Sequence, residues 1–224
     1  RRGGTFLLTA RCKEFRSAEG RAKAYENLKA NEIDGLIVLG GDGSFKGAED
    51  FSKEYNVKII GIPGTIDNDI SGTDYTIGFD TCLNTIVSAV SNIRDTATSH
   101  ERTYIVEVMG REAGYLAMYS CMASGGDALL IPEKKTNLKT VAKSLEKRYA
   151  KGKLHDIVIV AEGVGKGEDI ATELKQHLTK KERNQMRVST LGYVQRGGAP
   201  SAMDRILATK LGYYAVEMLI ENQG

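Results

Sequence analysis

The chain has 224 residues, 41% of them hydrophobic and 27% charged, an ordinary globular composition that excludes a disordered or fibrous protein. A formal net charge of +2 gives no electrostatic basis for contacts with nucleic acid or an acidic membrane, so we expect neither partner. Three cysteines cannot form a disulfide framework and no apolar run is long enough to span a membrane, which predicts a cytoplasmic protein. Because no initiator Met precedes Arg1 and the last residues form a turn signal, we interpret the chain as a fragment.

Strand and helix patterns alternate along the chain. A strand-like run opens it at residues 5–9, and short apolar runs typical of a buried parallel sheet follow at 35–39, 57–62, 103–108, 128–131, 157–161 and 187–194. Helical periodicity predicts helices at 18–30, 47–55, 79–97, 138–150, 169–179 and 201–221. Asp80 and Thr81 are candidate N-caps of the third of these helices. We therefore expect an α/β fold with right-handed crossovers.

Glycine next to a charged residue follows nearly every predicted strand. The chain contains 25 glycines, and the segments at strand ends are 40–44, 63–69, 109–111, 132–133, 162–163 and 195–198. Ligands of open α/β sheets bind beyond the carboxyl ends of the strands. This pattern predicts a site for a polar, phosphorylated ligand.

The segment Gly-Gly-Asp-Gly-Ser at residues 40–44 joins a predicted strand to a helix. Glycines allow the backbone to approach a phosphate, which the N–H groups at the start of the helix can bind. Asp42 could then hold Mg²⁺, which prefers one or two carboxylates together with phosphate oxygens. A tight turn with Asp42 as a plain helix cap is the alternative, since the segment matches neither of the common nucleotide-binding fingerprints.

Residues 65–69 carry two carboxylates. In an extended segment Thr65, Asp67 and Asp69 would share one face, and two carboxylates beside an anionic phosphate require a cation or a transferable proton. An Asx turn is the alternative for Asp69 alone. Arg111 and Arg196 each lie beside a glycine at a strand end, where a guanidinium can bind phosphate in a bidentate manner.

The chain resembles the bacterial 6-phosphofructokinase family over essentially its whole length. The resemblance rests on the segments 40–44, 63–69, 95–102, 109–111, 161–163 and 191–198. The resemblance implies two similar three-layer α/β domains with largely parallel sheets and the active site in the cleft between them. Residues 1–78 plus 200–224 would form the ATP-binding domain and residues 79–199 the fructose 6-phosphate-binding domain. It further implies a homotetramer that transfers the γ-phosphate of ATP to the 1-hydroxyl of fructose 6-phosphate, the committed step of glycolysis.

The resemblance also implies roles for individual residues. Asp67 would be the general base, and Arg111 would neutralise charge on the transferring group, with Thr65 and Asp69 completing the catalytic set. The expected contacts to ATP are Arg11, Cys12, Gly41, Asp42, Gly43 and Ser44, with Asp42 on Mg²⁺. The expected contacts to the sugar phosphate are Thr65, Ile66, Asp67, Arg102, Met109, Gly110, Arg111, Glu162, Arg187, Tyr193, Val194, Gln195 and Arg196, of which Arg102 and Arg187 would come from a neighbouring subunit.

An effector site for ADP or phosphoenolpyruvate is implied as well, formed by Arg94, Gly125, Gly126, Asp127, Lys151, Lys153, Leu154 and His155. The chain departs from the family pattern at four positions. Tyr193 replaces a His that contacts the sugar 6-phosphate, Asp127 replaces a Glu, and Lys151 and Leu154 replace an Arg and a Lys. These departures leave the kinase assignment intact and count against ADP regulation.

Three other classes of protein share part of this pattern. Pyrophosphate-dependent phosphofructokinases typically carry larger side chains at the positions of Gly43 and Gly64, where they would fill the space for the nucleoside, so glycine at both positions favours ATP. A non-catalytic regulatory paralogue would not be expected to retain Asp42, Asp67 and Arg111. Lipid and NAD kinases share the Gly-Gly-Asp-Gly turn but lack the remaining motifs.

Overall fold

The structure is a computed structural model that describes residues 3–153, 155–179 and 185–221. Within these ranges the helices are α1 (Ala18–Ala30), α2 (Asp42–Tyr55), α3 (Phe79–His100), α4 (Tyr115–Ser124), α5 (Leu138–Ala150), α6 (Gly167–Gln176) and α7 (Ala202–Ile220). The strands are β1 (Gly35–Gly40), β2 (Lys58–Pro63), β3 (Thr103–Val108), β4 (Ala128–Leu130), β5 (Asp156–Ala161) and β6 (Met186–Thr190). Short 3₁₀ turns lie at Glu14–Arg16 and Gly192–Arg196.

The chain divides into two compact units. The first comprises Arg1–Thr65, Ile70–Gly78 and Pro200–Gly224, and the second comprises Ile66–Asp69 and Phe79–Ala199. In the first unit, β1 pairs with β2 in parallel over the full length of both strands. The core of this unit includes Ile60, Ile62 and Ala215, which places α7 against the sheet. The strands therefore bring the carboxyl ends of β1 and β2 side by side.

The second unit contains a four-stranded parallel sheet in the order β4-β5-β3-β6. All six residues of β5 are buried, because helices cover both faces of the sheet. Helices α3 and α4 contribute Phe79, Ile86 and Leu116 to one core cluster, whereas α5 and α6 contribute Leu145 and Leu174 to the other. This arrangement confirms the α/β class with parallel sheets and explains why the strands are almost uniformly apolar.

Several local predictions are wrong. Residues 5–9 form no strand, and Phe6 is 98% exposed, because no neighbouring strand pairs with this segment. Asp80 and Thr81 lie inside α3 and are not its N-caps. The strand predicted at 187–194 ends at Thr190, since Gly192 adopts a left-handed φ of 56° and begins a 3₁₀ turn.

Helix α4 was not predicted from the pattern. Its sequence is apolar on most sides and only Leu116, Ala117 and Ser120 are buried, so it shows little contrast between a core face and a solvent face. Helix α2 begins at Asp42, five residues before the predicted start, although its first turns contain two glycines. Among the described helices, none combines the length and apolar character needed to cross a membrane.

Candidate active site

Three strand ends of the second unit converge on one cavity. Strands β5, β3 and β6 are neighbours, and their carboxyl ends lead into residues 162–163, 109–111 and 191–196. The cavity has a volume of about 260 Å³ and is lined by Glu107, Val108, Met109, Glu162, Thr190, Gly192, Tyr193, Gln195 and Arg196. The structure thus brings together five residues that the sequence places in the sugar phosphate site: Met109, Glu162, Tyr193, Gln195 and Arg196.

Glu162 holds the loop that follows β3. Its Oε1 accepts hydrogen bonds from the backbone N–H groups of Gly110, at 3.2 Å, and of Arg111, at 2.7 Å. Both residues have left-handed φ values, 138° and 53°, a conformation that costs free energy at Arg111 and requires outside support. Gly163 completes the packing, since a Cβ there would lie 2.4 Å from the Arg111 carbonyl oxygen. No described residue donates a hydrogen bond to Oε2 of Glu162, which leaves this oxygen available to a sugar hydroxyl.

The Arg111 side chain is exposed beside the acidic segment. Its Nη1 lies 4.0 Å from Oδ2 of Asp69, an exposed ion pair of small energetic value that a phosphate can replace. Asp67 differs from Asp69 because it is only 6% exposed. The extended geometry assumed for residues 65–69 fails at Asn68, whose φ is 55°, so the rule that alternate residues share a face does not extend from Asp67 to Asp69.

The 3₁₀ turn after β6 carries a stacked pair. The guanidinium carbon of Arg196 lies 5.1 Å from the centre of the Tyr193 ring, within the range of a cation–π contact. Tyr193 is 79% exposed, and Val194 and Arg196 are exposed as well. Gln195 is the exception in this turn because its side chain is buried.

Arg102 and Arg187 lie at the amino ends of β3 and β6, whereas the cavity lies at the carboxyl ends of these strands. Arg102 precedes Thr103, the first residue of β3, and Arg187 is the second residue of β6. Strand β3 alone spans about 17 Å at ~3.3 Å per residue, and neither arginine lines the cavity. Within one copy of the chain, the structure therefore does not bring these two arginines to the other sugar phosphate residues.

In the first unit, four of the residues expected to bind ATP lie together at the start of α2. Gly41 is the N-cap of α2, and Asp42, Gly43 and Ser44 form its first turn. A Cβ on Gly43 would meet nothing within 4 Å, and a Cβ on Gly64 would lie 3.6 Å from the Gly40 nitrogen. The strand ends are held together by a 2.8 Å hydrogen bond from Gly64 N–H to the Gly40 carbonyl. The backbone at Gly43, in the first turn of α2, is therefore open to an approaching phosphate.

The other residues expected at the ATP site make few contacts with the start of α2. Arg11 and Cys12 are exposed ahead of the Glu14–Arg16 turn, and no described hydrogen bond or ion pair joins them to residues 41–44. Thr65 accepts a 2.7 Å hydrogen bond at its carbonyl oxygen from the Thr76 hydroxyl. Asp42 is exposed and makes no hydrogen bond or ion pair through its carboxylate with the described residues.

The chemistry of this donor set fits Mg²⁺. The described residues contain no group of three carboxylates, cysteines or histidines that could hold a metal by themselves. Mg²⁺ is commonly held by one or two carboxylates, with phosphate oxygens and water completing the shell. A single exposed carboxylate at the start of α2 is thus suited to a metal that arrives with a polyphosphate.

Several residues expected in the effector site are engaged within the chain. Asp127 pairs with Arg148 and Lys153, and Arg148 Nε also binds Asp156 Oδ1 at 2.7 Å. Burial raises the pKa of Asp156, and the nearby Asp127 charge adds to this effect, while the hydrogen bond from Arg148 opposes it. Arg94 donates hydrogen bonds to the carbonyls of Ser124 and Gly125, and Leu154 lies outside the described residues.

Glu107, a carboxylate of the cavity, is not among the site residues predicted from the sequence. Glu107 Oε2 accepts hydrogen bonds from Gly167 N–H at 2.6 Å and from the Thr190 hydroxyl at 3.3 Å. It joins the start of α6 and the end of β6 to β3. The sequence signal for Glu107 was a lone acidic residue in the otherwise uncharged strand Thr103–Val108, because a half-buried charge needs hydrogen-bond partners.

Comparison with known proteins identifies the family. The family model for phosphofructokinase matches residues 1–219. ATP-dependent 6-phosphofructokinase of Bacillus pumilus is 54% identical over 223 residues, which cover 100% of this chain and 68% of that protein. The solved phosphofructokinase of Saccharomyces cerevisiae superposes with a TM-score of 0.91 at 37% identity, covering 98% of this chain and 33% of the yeast chain.

A pyrophosphate-dependent phosphofructokinase from Marinobacter aquaeolei superposes with a TM-score of 0.82 at 23% identity, over 98% of this chain and 59% of that one. At this identity the likeness shows the shared fold alone. The match to the family model extends over nearly the whole sequence and includes every segment that lines the cavity. The chain therefore belongs to the phosphofructokinase family.

Proposed function

We propose that the protein carrying this chain transfers the γ-phosphoryl group of ATP to the 1-hydroxyl of fructose 6-phosphate, giving fructose 1,6-bisphosphate and ADP. The observation that carries the proposal is the cavity at the ends of β5, β3 and β6, where Glu162 and Arg196 converge beside the loop that presents Arg111. The printed name of the relative at 54% identity, an ATP-dependent 6-phosphofructokinase, supports the same reaction.

The second unit binds the sugar phosphate in this proposal. Arg196 binds the 6-phosphate, and the remaining oxygen of Glu162 accepts a hydrogen bond from a sugar hydroxyl. Asp67 accepts the proton of the 1-hydroxyl as that oxygen attacks the γ-phosphorus and the bond from this phosphorus to ADP breaks. Arg111 exchanges its weak pairing with Asp69 for the transferring phosphoryl group, whose charge it neutralises.

The first unit binds ATP. Phosphate oxygens meet the N–H groups at the start of α2, and Asp42 holds Mg²⁺. The metal, when bound, neutralises charge on the polyphosphate. Gly43 faces open space and Gly64 carries no side chain, which supports ATP over pyrophosphate as the donor.

Assembly completes the site. Arg102 and Arg187 lie at the amino ends of β3 and β6, away from the cavity. We therefore propose that they bind the sugar phosphate in the site of a neighbouring copy in a homotetramer. An ADP or phosphoenolpyruvate effector that uses Lys153 would share its ammonium group with Asp127, its ion-pair partner.

The test is the rate of ADP formation by the full-length protein with ATP, Mg²⁺ and fructose 6-phosphate. We expect Asp67→Asn to lower kcat by roughly 10²–10⁴, the usual contribution of a positioned general base, with a much smaller change in KM. Asp34→Asn, the same change at an exposed loop position, is the matched control. A native protein without turnover refutes the kinase proposal, and a near-normal kcat in Asp67→Asn refutes the role of the base.

A further inference from the structure

Gln195 is a buried amide in an otherwise exposed turn. Only 1% of the residue is exposed, whereas Tyr193, Val194 and Arg196 around it are all exposed. Its Oε1 accepts a 3.0 Å hydrogen bond from Met109 N–H, and its Nε2 donates a 2.9 Å hydrogen bond to the Gly192 carbonyl. A buried amide is costly unless it is hydrogen-bonded, so this side chain is committed to the backbone.

The side chain continues the ladder between β3 and β6 after β6 has ended. The last ladder bond runs from Leu191 N–H to the Glu107 carbonyl. Alternate residues of a parallel strand bond to the same neighbour, so the next group that would face β6 is the N–H of Met109, which directly follows β3. Because the chain turns away at Gly192, whose φ is 56°, the Gln195 amide takes the place of the missing strand residue.

This position links the two loops that carry the arginines of the site. On one side Gln195 fixes Met109, which precedes the left-handed residues Gly110 and Arg111. On the other side it fixes Gly192, where the turn carrying Arg196 begins. Glu162 bonds the loop at Gly110 and Arg111 but not at Met109, so the two side chains support different residues.

We propose that Gln195 is a positioning residue that sets the Arg111 loop and the Arg196 turn relative to each other, and that it is not a ligand of the sugar phosphate. The residue is only 1% exposed and each polar atom of its side chain is bonded to the backbone, so the amide faces the backbone and not a ligand. The catalytic part of the inference rests on the proposed kinase function. The placement of the Met109 amide does not depend on it.

The first test separates kcat from KM in the full-length protein. Gln195→Met keeps the volume and removes both hydrogen bonds, so Arg111 and Arg196 lose their common support. We expect kcat to fall by about 10- to 100-fold, the scale of a misplacement of about 1 Å, together with a rise in the KM for fructose 6-phosphate. Gln176→Met makes the same change at the exposed end of α6 and should leave both constants unchanged. A raised KM with an unchanged kcat would identify Gln195 as a ligand and overturn the proposal.

The second test needs neither a variant nor turnover. In the ligand-free native protein, the Met109 amide hydrogen should exchange slowly with deuterium, because Gln195 already accepts its hydrogen bond. Addition of fructose 6-phosphate should change this rate little. Fast exchange that slows only when fructose 6-phosphate is added would overturn the proposal even if the kinase reaction is confirmed. Slow exchange in a protein that lacks kinase turnover would refute the proposed function and leave the placement of Gln195 standing.

Discussion

The stack of Arg196 on Tyr193 predicts which part of the tyrosine matters. The guanidinium carbon lies 5.1 Å from the ring centre, and Tyr193 is 79% exposed. A cation–π contact at such an exposed site contributes about 0.5–1 kcal/mol, or roughly two- to fivefold in binding. Tyr193→Phe keeps the ring face, so we expect its KM for fructose 6-phosphate to stay within about twofold of native. Tyr193→Leu removes the face and should raise the KM about two- to fivefold at nearly constant kcat.

The sequence predicts a different role, in which the Tyr193 hydroxyl binds the 6-phosphate. A neutral hydrogen bond contributes about 0.5–1.5 kcal/mol, so Tyr193→Phe alone would then raise the KM roughly two- to tenfold. Initial rates of ADP formation at varied fructose 6-phosphate distinguish the two roles, with Tyr213→Leu on the exposed side of α7 as control. Equal KM values for the Phe and Leu variants, both well above native, would refute the stacking argument.

Two further predictions concern the donor site and the ion pairs of Asp127. Gly64→Lys should raise the KM for ATP about tenfold, which lies within the ~1–3 kcal/mol typical of overpacking, and should leave the KM for fructose 6-phosphate unchanged. An unchanged KM for ATP would remove the argument for ATP over pyrophosphate. Asp127→Asn should lower the pKa of Asp156, because one nearby negative charge is lost. Titration of the Asp156 carboxyl carbon by ¹³C NMR measures this pKa. The pKa of Asp156 is raised in the folded state, so its contribution to the free energy of unfolding falls as the pH rises through that pKa. The Asp127→Asn variant should therefore lose less stability over this pH range than the native protein. An unchanged Asp156 pKa in the variant would contradict the influence of the Asp127 charge.

Much of the site was predictable because its parts are local in sequence. Uniformly apolar runs such as β5 indicate strands buried on both faces, and parallel strands place all their carboxyl ends at one edge of a sheet. The sequence alone therefore predicts that Met109, Glu162 and Arg196 lie together, since each follows a predicted strand. The same local reasoning placed a strand at residues 5–9, where no partner strand pairs with the segment.

The remaining features depend on contacts between residues far apart in the chain. Gln195 and Met109 are 86 residues apart, and only the order β5-β3-β6 makes one a substitute for the ladder partner of the other. A motif determines which chemical groups lie near a strand end, whereas the strand order and the resulting burial decide whether each group faces the ligand or holds the backbone.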